Sequence, residues 1–301
     1  MNEIGFIGLG RMGKWMASNL LKRGFALHVF DIDAAALALL AERGATPAPT
    51  AAALAQRVDT IVLSLPNSEV VETVVRGQDA VLQGARPGLV LVDCGTAGYR
   101  WTREFADSLQ SRGLHFVDAP VTGLEQKAKD GTLTIMFGGA ADLFEQVRPV
   151  LAAMGSNIIH MGETGSGQLA KMLNNILYNA NMAALAEVLP MAVKLGLAPE
   201  RIAEVVNSGS GRSFASEFFI PQILDGTFDR SYSMANAYKD MANAAETAAH
   251  YEIRLPMIEA ATATYRQALA MGLGAEGKGA MIKVFEEKLK VAFRKGGESC
   301  G

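Results

Sequence analysis

The amino-acid sequence predicts an α/β domain built on a parallel sheet with crossover helices, followed by an all-α domain. Three observations carry that expectation. β-branched and apolar runs alternate with helix-like stretches as far as residue 160, residues 161–167 are glycine-rich in the manner of a hinge, and β-branched runs nearly vanish beyond it. Strands are expected over 4–7, 26–30, 60–65, 89–92, 115–117, 132–137 and 157–160, with helices over 11–23, 34–43, 68–76, 99–112 and 142–154. Gly24, Gly44, Gly77, Gly113 and Gly155 stand where these helices should end, in position for a left-handed cap. The second half reads as a long helix from about 167 towards 195, kinked at Pro190, then helices over 199–207, 214–223, 233–250, 256–271 and 280–290.

Length agrees with this division: 301 residues suffice for two cores, placed at 1–162 and 163–293, with a polar tail over 294–301. Hydrophobic residues make up 50% and charged residues 20%, which excludes disordered and low-complexity classes. A net charge of −3, from 28 Lys+Arg against 31 Asp+Glu, removes the electrostatic case for nucleic acid as a partner. Cys94 and Cys300 lie far apart with no CxxC, so a disulfide scaffold and a thiolate zinc site are both unsupported and a reducing, cytoplasmic setting is expected. His28, His115, His160 and His250 share no ligand spacing, so no metal site is predicted. The first residues, MNEIGFIGLG, lack the basic start and long apolar run of a secretion signal. The apolar stretch 182–197 contains Glu187, Pro190 and Lys194 and reads as a buried helix rather than a membrane span.

Gly8-Leu9-Gly10-Arg11-Met12-Gly13 follows the first strand and opens the first helix. Glycines at this spacing let the chain turn tightly, approach a pyrophosphate and pack helix on strand. Such a loop can also be an ordinary strand-to-helix turn. Here the second strand ends at Asp31, eighteen residues past Gly13, where a carboxylate accepts ribose hydroxyls. That coincidence identifies a Rossmann dinucleotide site. Asp31 would repel a 2′-phosphate, and Ile32 and Asp33 add no positive charge, so NAD is expected over NADP. Leu65-Pro66-Asn67 and Cys94-Gly95-Thr96 follow later strands and belong to the carboxyl edge, where such sheets bind ligands. Cys94 has no partner base in view and reads as a small filler.

A second motif runs from Gly165 to Asn175. On a helix, Gly167 and Asn175 each lie about 40° from Lys171, so one face presents a gap, an ammonium and an amide in successive turns. Such a face suits a cofactor ring and a substrate hydroxyl, and a desolvated lysine there can move a proton. A solvent-facing lysine on an amphipathic helix is the plain alternative.

Over nearly its whole length the chain resembles the 3-hydroxyisobutyrate dehydrogenase, or β-hydroxyacid dehydrogenase, family. The motifs in order are the glycine run Gly5 to Gly13, the loop Asp118-Ala119-Pro120-Val121-Thr122-Gly123-Leu124, the Gly165 to Asn175 helix start, and the pair Lys239-Asp240. The resemblance implies that Gly8, Leu9, Gly10, Arg11, Met12, Asp31, Leu65, Pro66, Thr96 and Lys239 hold the cofactor. It implies that Thr122, Gly123 and Leu124 hold a small anionic hydroxy acid or semialdehyde, with Lys171 as the proton-transfer residue and Asn175 beside it. Backbone N–H groups and a hydroxyl make a compact anion cradle, which suits a carboxylate near the reacting hydroxyl. Asp240 is expected to be structural. An apolar helical second domain suggests interlocked subunits, as a homodimer or homotetramer.

Three departures from the family stand out. Leu124 replaces a glycine and adds an isobutyl group at the pocket, the stretch from Cys94 to Tyr99 keeps only Thr96 of the usual hydroxyls, and Trp15 replaces a proline. Arg212 and Ser213, on a glycine-flanked loop, are candidates for the distal end of the substrate. Rival readings are a sugar-acid dehydrogenase related to the 6-phosphogluconate enzymes, where Asn174 would stand in for a histidine, an imine reductase, against which Lys171 speaks, and a non-catalytic dinucleotide-binding scaffold.

Overall fold

The structure, a computed structural model, describes residues 3–229 and 232–296. Cys300 and the end of the predicted tail lie outside the described residues. The chain divides into two compact units, one running to Lys171 and the other starting at Met172.

The first unit alternates strand and helix: β1 (Glu3–Ile7), α1 (Gly13–Lys22), β2 (Ala26–Phe30), α2 (Ala34–Ala41), β3 (Thr46–Pro47), α3 (Ala51–Ala55), β4 (Thr60–Leu63), α4 (Ser68–Arg76), α5 (Val81–Gly84), β5 (Val90–Asp93), α6 (Tyr99–Gln110) and β6 (His115–Asp118). It continues with β7 (Val121–Thr122), α7 (Leu124–Asp130), β8 (Leu133–Gly138), α8 (Ala141–Met154) and β9 (Gly155–Gly162). The sheet order is β3-β2-β1-β4-β5-β6-β8-β7, with β9 on β8. Alternate residues of the central strands serve the two faces. Val90 and Val92 pack with Met16 and Leu20 of α1, while Leu91 packs with Phe105 and Leu109 of α6. Burial on both faces is why these strands read as continuous apolar runs.

The sheet is not wholly parallel as expected: β8 pairs antiparallel with β6 and β7. Asp118, Val121 and Thr122 pair with Gly138, Ile135 and Thr134 in one register, so the chain runs on past Pro120, whose carbonyl accepts the Met136 N–H at 3.0 Å, and reverses through α7. The short elements β3, β7, α3, α5 and α7 carry no sequence signal, because two to seven residues hold too few periods to show a pattern. Gly24, Gly44 and Gly113 have positive φ, but Gly77 and Gly155 are extended. At Gly155 α8 passes directly into β9, and an added Cβ would lie 2.6 Å from the Leu133 carbonyl oxygen. Close strand approach, not handedness, requires that glycine.

The second unit is helical: α9 (Ser166–Lys194, its first turns belonging to the first unit), α10 (Pro199–Ser208), α11 (Phe214–Leu224), α12 (Met234–His250), α13 (Pro256–Ala270) and α14 (Ile282–Leu289). Helix α9 runs through Pro190 and is long and apolar enough to cross a membrane by length and mean hydropathy (1.3). Met182, Ala186, Leu189 and Val193 nevertheless form one face of it and pack into the core with Phe219, Met241 and Tyr265. The stretch predicted to be a buried helix is buried on that face only, since Val188, Met191 and Leu195 are exposed.

Candidate active site

The dinucleotide loop assigns each glycine a separate task. Gly8 has φ +96°, and a Cβ there would meet the Ser64 carbonyl; a Cβ at Gly13 would meet the Gly8 carbonyl, while one at Gly10 would meet nothing within 4 Å. Thus Gly8 and Gly13 permit the turn and the packing, and Gly10 leaves open surface. Helix α1 has no side-chain cap and no acidic residue in its first turn, so its N–H groups suit an anion. Asp31 accepts the Leu9 N–H through Oδ2 and the Asp33 N–H through Oδ1 at 2.8 Å, which fixes the half-buried carboxylate at the β2 end. These residues fit a dinucleotide's pyrophosphate and ribose. Leu9 contributes through that amide, for its side chain is buried.

The β5 and β6 ends are organised differently. Asp93 and Asp118 are register partners with no exposed surface. Burial raises the Asp93 carboxyl to about 7, with the Asp118 charge adding to it against the Gly95 N–H, and raises Asp118 to about 6. Asp93 Oδ2 has no hydrogen-bond partner, while Asp118 accepts the Gly165 N–H at 2.6 Å and the Gln168 N–H at 2.7 Å. The predicted gap at Gly167 is filled rather than open: a Cβ there would lie 2.2 Å from the Met136 carbonyl oxygen and 2.8 Å from Asp118 Oδ2. That glycine lets α9 start against the sheet and does not make room for a cofactor ring. Gln168 donates to the Gly95 carbonyl at 3.0 Å and accepts the Ala97 N–H at 3.1 Å, so it brackets exposed Thr96. Cys94 is buried with its thiol pushed up by desolvation, in keeping with a filler.

Lys171 Nζ donates to the Val121 carbonyl at 2.8 Å. The amine therefore stands at the loop that continues into Thr122 and Gly123. Leu124 begins α7 with φ +62° and is exposed, so the isobutyl group carries the left-handed conformation that a glycine would adopt without strain. The next residue, Glu125, accepts from Arg11 Nε at 2.7 Å and from Trp15 Nε1 at 3.0 Å. Arg11 and Trp15 thus join the glycine loop to the 122–124 loop, a link between residues 110 and 114 apart in sequence with no local signal. Leu65 is half-buried and Pro66 exposed, and Asn67 caps α4 by accepting the Val70 N–H.

In the second unit Asn175 Nδ2 donates to Asp240 Oδ2 at 2.9 Å. A carboxylate only accepts, so this bond fixes the amide and turns its Oδ1 away from Asp240. Asn179, one turn further on, accepts from buried Lys278 at 2.8 Å, and that ammonium lies 3.6 Å from the Tyr178 ring centroid. Extending the Lys171–Asn175 spacing by four would have found Asn179; nothing local marked Lys278. Lys239 is exposed, and Arg212 is exposed and pairs with Glu217 at 3.6 Å. The Ser213 hydroxyl caps α11 by accepting the Ser216 N–H in a reciprocal capping box. Among the described residues no cluster of His, Cys, Asp or Glu could hold a metal.

The strand order, the β1 glycine loop and the β2 carboxylate define a Rossmann dinucleotide-binding domain, with its crevice where the order reverses between β1 and β4. Residues 3–162 match the family described as the NAD binding domain of 6-phosphogluconate dehydrogenase, and 165–285 match the one described as NAD-binding of NADP-dependent 3-hydroxyisobutyrate dehydrogenase. The chain is 41% identical to 2-(hydroxymethyl)glutarate dehydrogenase of Eubacterium barkeri over 98% of both chains. It is 36% identical to the NAD-dependent L-serine dehydrogenase of Pseudomonas aeruginosa over 95% of this chain and 98% of that one. The crystal structure of 3-hydroxyisobutyrate dehydrogenase from Salmonella typhimurium superposes with a TM-score of 0.85 at 30% identity, covering 95% of this chain and 100% of that one. The chain belongs to the 3-hydroxyisobutyrate dehydrogenase family of β-hydroxyacid dehydrogenases. It is an NAD(P)-dependent oxidoreductase of small hydroxy acids.

Proposed function

We propose that the enzyme oxidises, reversibly, the primary alcohol of a 3-hydroxy acid to its semialdehyde, with NAD preferred and Lys171 as the proton-transfer residue. The observation that carries this reading is the Lys171–Val121 bond, which holds an amine beside the Thr122-Gly123 loop. Hydroxymethylglutarate, serine and hydroxyisobutyrate, the substrates in the relatives' names, share a hydroxymethyl group on the carbon that bears the carboxylate. The Thr122 hydroxyl and the loop's backbone N–H groups suit that carboxylate. The neutral Lys171 amine takes the hydroxyl proton as the C–H hydride departs, and returns it in reduction. A bound nicotinamide supplies the hydride acceptor. Asn175 Oδ1, turned from Asp240, serves as an acceptor that orients the hydroxyl.

The preference for NAD is supported by the fixed Asp31 carboxylate and by Ile32, which is 98% exposed where a 2′-phosphate would need a cation. Exposed Leu173, Leu177, Val188 and Met191 along α9 support assembly as a homodimer or homotetramer, which sedimentation would measure. The deciding experiment assays a panel of 3-hydroxy acids with NAD and NADP in parallel. Turnover of at least one such acid, faster with NAD, is expected; no reduction of either cofactor with any member would refute the reading.

A further inference from the structure

The start of α9 is bonded to three strand ends of the sheet: Gln168 to Gly95 and Ala97 after β5, Gly165 and Gln168 to Asp118 on β6, and Lys171 to Val121 on β7. Asp118 supplies the charge in this anchor from the sheet side. Two glycines make its slot, since a Cβ at Gly138 would lie 2.5 Å from Asp118 Oδ1 and one at Gly167 2.8 Å from Oδ2.

We propose that Asp118 is a positioning residue for Lys171: its carboxylate caps the first turn of α9 from the sheet and so sets where the amine stands beside Thr122 and Gly123. The proposal rests on the reading of Lys171 given above. The first N–H groups of a helix have no partner within it, and a carboxylate satisfies two of them while meeting the positive end of the helix dipole. From Gln168 to Lys171 is less than one turn, so a displaced cap displaces the amine, and misplacement by about 1 Å can cost on the order of a hundredfold in rate. Val121 follows Asp118 by three residues, so the same strand-to-loop segment holds the helix at its cap and at its lysine.

The cap is sensitive to protonation. A neutral acid turns one of its two acceptor oxygens into a donor facing an N–H. Burial raises the Asp118 carboxyl to about 6 against the lowering effect of the Gly165 and Gln168 N–H groups. Asp93 on β5 is the titratable group that faces it, with the Cys94 thiol beside Asp93; β8 and α9 present Gly138 and the Gly165–Gln168 backbone, which carry no charge.

The test compares wild type with Asp118→Asn, which keeps the size of the side chain but offers one acceptor. The expected result is a kcat lower by about ten- to a hundredfold with the KM for NAD within about twofold, and loss of the wild-type acid limb near pH 6. In the wild-type protein the amide signals of Gly165 and Gln168 should titrate with that same midpoint, a readout independent of turnover. A variant that keeps wild-type kcat and its acid limb, or amide signals that stay flat across the limb, would overturn the proposal. If Asp118→Asn fails to fold, the wild-type protein decides: the Gly165 and Gln168 amide midpoints must coincide with the midpoint of the acid limb of kcat, and a mismatch overturns the proposal. Should Lys171→Ala retain turnover, the reading of Lys171 fails, and the amide titration still reports whether Asp118 caps the helix.

Discussion

Asp31, at the end of β2, and Asp118, at the end of β6, are carboxylates on the same edge of one sheet, yet they serve different ends. Asp31 is half-buried and bonded by the N–H of Asp33 and of Leu9 in the adjoining loop, which leaves it beside open surface at Gly10. Asp118 has no exposed surface, faces a second buried carboxylate and accepts N–H groups 47 and 50 residues further on. In the proposed reading the first meets a ligand, whereas the second holds the chain so that Lys171 meets one. Desolvation separates the two cases: it raises Asp93 and Asp118 and keeps them away from solutes, so their partners have to be other parts of the fold.

Removing the group that each strand end presents or positions should separate the two roles. Lys171→Ala is expected to lower kcat by about 10²–10⁴-fold while leaving cofactor affinity nearly unchanged, as steady-state kinetics and NAD titration would show. Asp31→Ala should do the reverse, raising the KM for NAD by roughly ten- to a hundredfold with a smaller effect on kcat and a shift towards NADP. If both variants altered kcat and KM together, the division of labour between the two strand ends would be broken.

Asp93→Asn tests the burial itself. The Asp93 carboxyl moves from an ordinary 3.8 to about 7 in the folded protein, so between those values the native state binds a proton that the unfolded state lacks. Its contribution to stability therefore falls as pH rises through that window and is most unfavourable above pH 7. Asp93→Asn removes this slope while keeping an acceptor for the Gly95 N–H. A Tm higher than wild type at pH 8, by on the order of 5 °C, and a flatter pH dependence in calorimetry are expected.

The smallest effect is expected where the glycine loop is joined to the 122–124 loop. Glu125→Gln weakens the bond to Arg11, a side chain that is 66% exposed, and should change stability by less than about 1 kcal/mol. A larger loss, or a KM for substrate that rises with that for NAD, would show that the glycine loop and the 122–124 loop act as one body.

The dinucleotide loop was legible because its residues act over short range: glycine, helix start and the β2 carboxylate lie within 31 residues of the N-terminus, and each type has one stereochemical reason to be there. Lys171 was legible by helical spacing. Gly167 was misread because the same spacing cannot tell an open face from one pressed on the Met136 carbonyl. Asp118 lies in the 118–124 motif with no local pattern that gives it a role, and no local pattern marks Gln168, Glu125 or Lys278. Their partners are 71, 114 and 99 residues away, distances at which sequence periodicity carries no information.

By itself the sequence determined the alternation of strand and helix, the glycine turn, the β2 carboxylate and the lysine helix, because backbone conformation and periodic burial are local properties of the chain. The tertiary structure decided that β8 runs antiparallel to β6, that α9 begins on a buried carboxylate, and that the glycine loop and the 122–124 loop are joined through Glu125. Those follow from which strand ends meet in space, and it is strand pairing and burial, not neighbouring residues, that bring them together.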